Sequence, residues 1–137
     1  SLHDALPILI IRQFRIPVND YVYELPAGLI DDGEEAKNSV VRELKEETGL
    51  TVTNIMENGK GRLYLSPGMT DECVSLVFCE CEGEIDTDGL EDDECIEPMI
   101  ISREEAKKII SENSNMDIKC FLLLQSFVIL GEKLFEI

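Results

Sequence analysis

Two spacings of apolar residues alternate along the chain. LPILIIRQF, residues 6–14, is dense in β-branched side chains and ends in charge, the pattern of a buried strand. Pro17, Asn19 and Asp20 mark a loop, and YVYEL at 21–25 reads as a short strand. Asp31-Asp32-Gly33 supplies turn and cap chemistry ahead of a helix over about 35–48, which Gly49 closes in the left-handed position. LTVTNI and GRLYL are expected as strands on either side of an Asn58-Gly59 turn, and Pro67-Gly68 opens a loop. ECVSLVFCEC, residues 72–81, reads as one long strand and IEPMIIS, 96–102, as another. A capping box at Ser102 and Glu105 starts a helix to about residue 112, and a last helix spans roughly 117–130. Strands flanked by helices, without internal repeats, predict one α/β domain: an α/β/α sandwich around a mixed sheet.

The apolar run at 121–130 is too short to cross a bilayer and is interrupted by Gln125 and Ser126. Residues 1–8, SLHDALPI, resemble translated sequencing-adapter reads. They are expected to be a non-native leader, with the domain at 9–137 and a natural N-terminal segment missing. The 137 residues suffice to bury a core without disulfides. The five cysteines, Cys73, Cys79, Cys81, Cys95 and Cys120, form no CxxC pair and are expected as reduced, mostly buried thiols of a cytoplasmic protein. Cys79 and Cys81 alternate across Glu80 onto one strand face; no redox or metal role is expected of them.

Charge changes the picture more. A net charge of −17 argues against nucleic acid or an anionic membrane as the main partner. An anionic substrate would have to be met by recruited divalent cations. Residues 28–50 hold seven carboxylates, three of them (Glu43, Glu46 and Glu47) within about one helical turn. At about 100° per residue, Glu43 and Glu47 fall within roughly 60° of Val40, on the face expected to be buried, with Glu46 on its shoulder. Carboxylates turned to a core face are costly unless paired or metal-bound. A merely solvated acidic face would lie opposite Val40. Hard oxygens one turn apart suit Mg²⁺, or Mn²⁺ as its substitute, finished by substrate phosphates.

Gly28, five residues, Glu34, seven residues and then Arg42-Glu43-Leu44-Lys45-Glu46-Glu47-Thr48-Gly49-Leu50 resemble a complete Nudix box. The resemblance runs over nearly the whole chain from about Ile8 and implies the Nudix fold. Within that family the flanks are similar to ADP-ribose pyrophosphatases: RQFR at 12–15, ELPAGLID at 24–31 and SPGMTDE at 66–72. Pro67, separated from Leu50 by sixteen residues, matches their marker for ADP-ribose preference, although Pro67-Gly68 alone would read as an ordinary turn. The implied reaction is metal-dependent hydrolysis of ADP-ribose to AMP and ribose 5-phosphate.

Roles follow from the same resemblance. Glu43 and Glu47 are the implied metal ligands, with Glu46 bridging or binding through water and the Ala27 carbonyl as a further ligand. Arg42, Gly28 and Glu34 are implied to orient the helix and its carboxylates. Arg15 is the candidate contact to substrate phosphate, and Glu72 is expected to line that same cleft. A general base is expected from the acidic loop GLEDDECIE, residues 89–97: Glu94 first, Asp92 or Asp93 next, then Glu97. From Glu80 to Glu97 there are ten acidic residues and no basic one, so most of that loop must be solvated.

The resemblance implies that members of the subfamily usually carry an N-terminal extension that swaps across a homodimer and helps to sandwich the adenine; this chain is expected to lack it. A homodimer is therefore expected of the full-length protein and left open here, together with adenine affinity. Alternatives are a Nudix hydrolase for a nucleotide sugar or dinucleotide cofactor, and a non-catalytic ADP-ribose-binding module.

Overall fold

The computed structural model describes residues 6–136. Strand β1 (Ile8–Arg15) is the middle of a three-stranded antiparallel sheet, flanked by β2 (Asp20–Glu24) and β7 (Ile96–Ile101). Side chains alternate across a strand, and β1 buries residues on both of its faces. Ile8 and Ile10 join Ile101, Ala106, Ile109, Cys120, Leu124 and Phe127 in the core built with α2 (Arg103–Ser111) and α3 (Ile118–Leu130). Ile11, on the other face, is equally shielded. Helix α1 (Ala36–Thr48) packs against β7 and β3 (Thr51–Ile55). Helices thus cover the strands in the expected α/β arrangement.

Helix ends follow their local chemistry. Ser102 and Glu105 form the expected capping box of α2, and Asp117 caps α3 by accepting from the N–H groups of Lys119 and Cys120. Gly49, at φ 80°, ends α1 and donates its N–H to the Lys45 carbonyl. Asp31 and Asp32 do not cap α1, which starts after Glu35 without a side-chain cap. The last helix continues into a 3-10 turn, Gly131–Glu136, that the pattern did not announce.

Three strand expectations need correction. Asn58-Gly59 is not a hairpin turn, because β3 pairs with β6 (Cys79–Glu82) and β4 (Lys60–Tyr64) with β5 (Cys73–Leu76). Residues 51–64 and 73–82 form one bent antiparallel ribbon whose true turn is the Ser66–Glu72 segment, closed by the Leu65 N–H to the Glu72 carbonyl at 3.2 Å. The expected long strand is broken at Val77 and Phe78, opposite the Asn58-Gly59 bend; the Asn58 amide instead donates to the Phe135 carbonyl. Finally, all named strand pairs are antiparallel among the described residues, and the parallel component is a single bridge from Tyr23 to Met116.

Of the expected leader, residues 1–5 lie outside the described residues. Ile8 already pairs with Ile101, and the Leu6 N–H donates to the Glu132 carboxylate at 3.0 Å. Of the cysteines, only Cys120 is buried; Cys79 and Cys81 are half-buried, and Cys73 and Cys95 are exposed. No helix among the described residues is long and apolar enough to cross a membrane.

Candidate active site

The carboxylates occupy the second half of α1. Its buried residues are Ser39, Leu44, Glu47 and Thr48, with Ala36 and Val40 half-buried beside them. Glu47 is 6% exposed, and the Glu43 side chain is 19% exposed against 54% for Glu46. One carboxylate of the cluster is therefore in the interior, one at its rim and one in solvent. Glu47 Oε2 is buried with no hydrogen-bond partner among the described residues. Such an orphan costs about 1–3 kcal/mol if nothing satisfies it. Burial, the neighbouring charge of Glu43, a hydrogen bond with Glu43, and then the charges of Glu94 and Glu46 push the Glu47 carboxyl up to about 8.

Arg42 organises the rim. Its Nε and Nη2 donate to both oxygens of Glu34, at 3.1 and 3.0 Å. Nη1 donates to Glu43 Oε1 at 2.8 Å and reaches Glu46 Oε2 at 3.4 Å. Nη2 also donates to the Leu29 carbonyl, and Asp31 stands 3.4 Å away. The fork holds the Glu34 carboxyl below the usual carboxylate range, helped by the Asp31 N–H. One planar guanidinium thus ties the loop before α1 to two carboxylates on it.

Close backbone approach completes the site on two sides. A β-carbon added at Gly28 would run into the Glu43 carboxyl group, which would have to move aside, so glycine lets the backbone here lie against that side chain where it stands. Ala27, exposed, precedes it. On the other side, a β-carbon at Gly89 would stand 2.8 Å from the Glu46 carbonyl oxygen, and the Asp86 N–H donates to the Thr48 carbonyl at 2.8 Å. These contacts moor the acidic loop on the end of α1.

Within that loop Glu94 is half-buried whereas Asp92 and Asp93 are exposed. Glu94 accepts from the Glu91 N–H at 2.9 Å, leaving its other oxygen uncommitted in the hydrogen bonds described, and its charge is felt by Glu47. Glu97 points elsewhere: it pairs with Arg12, its cross-strand neighbour, at 3.2 Å. Arg15 is held by both oxygens of Glu24, at 2.7 and 2.8 Å, which raises its pKa further, and it feels the charge of Glu47.

The structure does not join Pro67 and Glu72 to this cluster. Both lie in the turn of the ribbon, where Pro67 lines an open hollow with Tyr64, Gly68, Met69, Thr70 and Asp71. No hydrogen bond or ion pair links them to the α1 carboxylates among the described residues. Nor do any three acidic, histidine or cysteine side chains there converge closely enough to cage a metal ion unaided. The three-carboxylate cradle expected from spacing is, in this conformation, a Glu43–Glu47 pair with Glu46 turned out toward Arg42.

A model of the NUDIX domain matches residues 3–119, and the chain belongs to the Nudix family. It is 33% identical over 126 residues to the ADP-ribose pyrophosphatase of Bacillus subtilis, which covers 91% of this chain and 67% of that protein. It is 40% identical over 95 residues to the ADP-ribose pyrophosphatase of Saccharomyces cerevisiae, 66% of this chain but 40% of that one. The chain thus spans between two fifths and two thirds of these relatives. Among solved structures it is similar to MutT, from a study of the Aliivibrio salmonicida and Vibrio cholerae proteins. That match has a TM-score of 0.60 and 17% identity, over 90% of this chain and 86% of the other, and shows the fold.

Sequence reasoning missed Glu24 as the partner of Arg15 and Gly89 as the mooring of the loop. Glu24 and Arg15 sit on adjoining strands, but their contact is diagonal rather than in register. Nothing in the local pattern distinguishes Gly89 from any turn glycine.

Proposed function

We propose that this site hydrolyses the pyrophosphate bond of ADP-ribose to AMP and ribose 5-phosphate, with Mg²⁺ as the cofactor and Mn²⁺ as its substitute. The observation that carries the reading is the buried Glu47 carboxylate, with an orphaned oxygen, beside Glu43 under the Gly28 strap. A buried carboxyl with one orphaned oxygen, beside a second that Arg42 holds by a single oxygen, fits a hard divalent cation, which would also relieve their mutual repulsion. Glu43 and Glu47 would hold it, with Glu46 and the Ala27 carbonyl as supplementary oxygens. Because the side chains form no complete cage, phosphate oxygens and water would fill the remaining positions, as Mg²⁺ ordinarily requires.

When bound, the metal polarises phosphoryl oxygens and lowers the pKa of the attacking water. The protein's own part is proton handling and orientation. Glu94, half-buried and moored beside α1, takes the proton of the water that attacks phosphorus. The P–O bond to the leaving phosphate breaks, and that oxygen leaves as an anion. Arg42 fixes Glu43 and Glu34 without touching substrate, a task its fork suits. Arg15 would trade part of its Glu24 pairing for a substrate phosphate. Pro67 and Glu72 would reach the substrate only from the ribbon turn.

Two relatives named ADP-ribose pyrophosphatase support the choice of substrate. The test is AMP release from ADP-ribose with Mg²⁺, beside nucleotide sugars and NADH at equal concentration. Preference for ADP-ribose is expected; preference for another compound would keep the pyrophosphate chemistry and discard this substrate.

A further inference from the structure

Outside the acidic site, the densest reactive group is a pair of thiols on β6. Cys79 and Cys81 place their Sγ atoms 3.8 Å apart in hydrogen-bond contact, both half-buried on the face that also carries Val52 and Ile55. Their hydrogen bond lowers the pKa of Cys81 and raises that of Cys79, so the proton rests on Cys79 and the negative charge forms on Cys81. Among the other cysteines, Cys120 is buried and its thiol is pushed up to about 12, chiefly by burial. Cys73 and Cys95 are exposed without a thiol neighbour among the described residues.

Backbone geometry decides what the pair can do. Alternate residues of an extended strand have α-carbons roughly 6.4–6.8 Å apart. That is the upper edge of what a disulfide spans, so a bond there would be strained and readily reduced. The ladder yields at this place already: the register of β3 slips between Val52 and Asn54, opposite Cys81 and Glu80. A bulge lets β6 draw in locally without dismantling its neighbours.

We propose that Cys79 and Cys81 form a reversible thiol–disulfide exchange site, which a low-molecular-weight disulfide closes into an intrastrand bond. The Cys81 thiolate attacks one sulfur of the small disulfide, forming a mixed disulfide and expelling a small thiolate. Cys79 gives its proton to that thiolate and attacks Cys81 Sγ, breaking the mixed disulfide and expelling the second small thiolate, which takes up the proton lost from Cys81. Two cysteine thiols are oxidised and one small disulfide is reduced to two thiols. The spacing of the cysteines, odd in number and without CxxC, gives no hint of it.

The test is to incubate the reduced, folded chain with oxidised glutathione, block remaining thiols with iodoacetamide and map the peptides. The peptide holding both residues should be lighter by two hydrogens, unblocked, and restored by dithiothreitol. Cys79→Ser should stop at glutathionylated Cys81, and Cys81→Ser should react at Cys79 at least ~10-fold more slowly. Exposed Cys73 and Cys95 give the reference reactivity within the same folded molecule. Blocking of both Cys79 and Cys81 by iodoacetamide, or separate glutathionylation of each, in the wild-type chain would overturn the proposal.

Discussion

Gly28 lies against the Glu43 carboxyl group so closely that a single methyl group would displace it. The loop before α1 and the rim carboxylate on it are therefore built as one unit. Gly28→Ala is expected to push Glu43 aside while the fold, whose core is elsewhere, stays intact. Turnover should fall ~10-fold or more and the Mg²⁺ concentration needed for half-activity should rise. Equal Mg²⁺ dependence in both proteins would dissociate Gly28 from the site.

Glu47 makes stability depend on pH and on metal together. Its carboxyl group is raised to about 8 in the folded chain, from 4.5, so the folded state keeps a proton that the unfolded chain releases between those values. The stability that this group contributes is present at low pH and is lost as pH rises through that window. In chelator, the wild type should lose melting temperature relative to Glu47→Gln from about pH 5 to about pH 8. Mg²⁺ should raise the melting temperature of the wild type at the alkaline end and have less effect on the variant. A pH-independent difference would contradict the assignment.

Arg42 binds through a fork that lysine cannot reproduce. Arg42→Lys keeps the charge but gives up the paired bonds to Glu34, and with them the simultaneous hold on Glu43. A fall of about 10–100-fold in turnover is expected, with KM for ADP-ribose nearly unchanged. A change confined to KM would make Arg42 a substrate contact instead.

Two loop acids separate by their partners. Glu94→Gln should cut turnover by roughly 10²–10⁴ and remove the acidic limb of the pH–rate profile. Glu97, committed to Arg12, should tolerate the same change with little loss. Glu43→Gln should also cost far more than Glu97→Gln. Similar losses at positions 94 and 97 would leave the base unassigned.

The capping box of α2 offers a control remote from the carboxylates. Ser102→Ala should cost about 1 kcal/mol in urea unfolding, with Mg²⁺-dependent activity unchanged.

These residues also show which signals a sequence carries. Helix α1 was legible because its end signals are local: Gly49 stops it, and the spacing of Glu43 and Glu47 puts them on one face whatever surrounds them. Ser102 and Glu105 declare α2 in the same way. Asn58-Gly59 misled because a turn dipeptide says only that the chain bends, and here both strands of a ribbon bend together. The burial of Glu47 could be anticipated from the helical period, whereas the outward position of Glu46 depends on where Arg42 reaches. Loop placement was the least legible feature, since Gly89 approaches Glu46 only after residues 83–95 have folded back over α1.

The most direct measurement is AMP release from ADP-ribose as Mg²⁺ is titrated into the metal-free chain, in parallel with Glu47→Gln. The carboxylate account predicts saturable, Mg²⁺-dependent release that falls at least ~100-fold in the folded variant. Release that ignores Mg²⁺, or that survives the loss of Glu47, would contradict it.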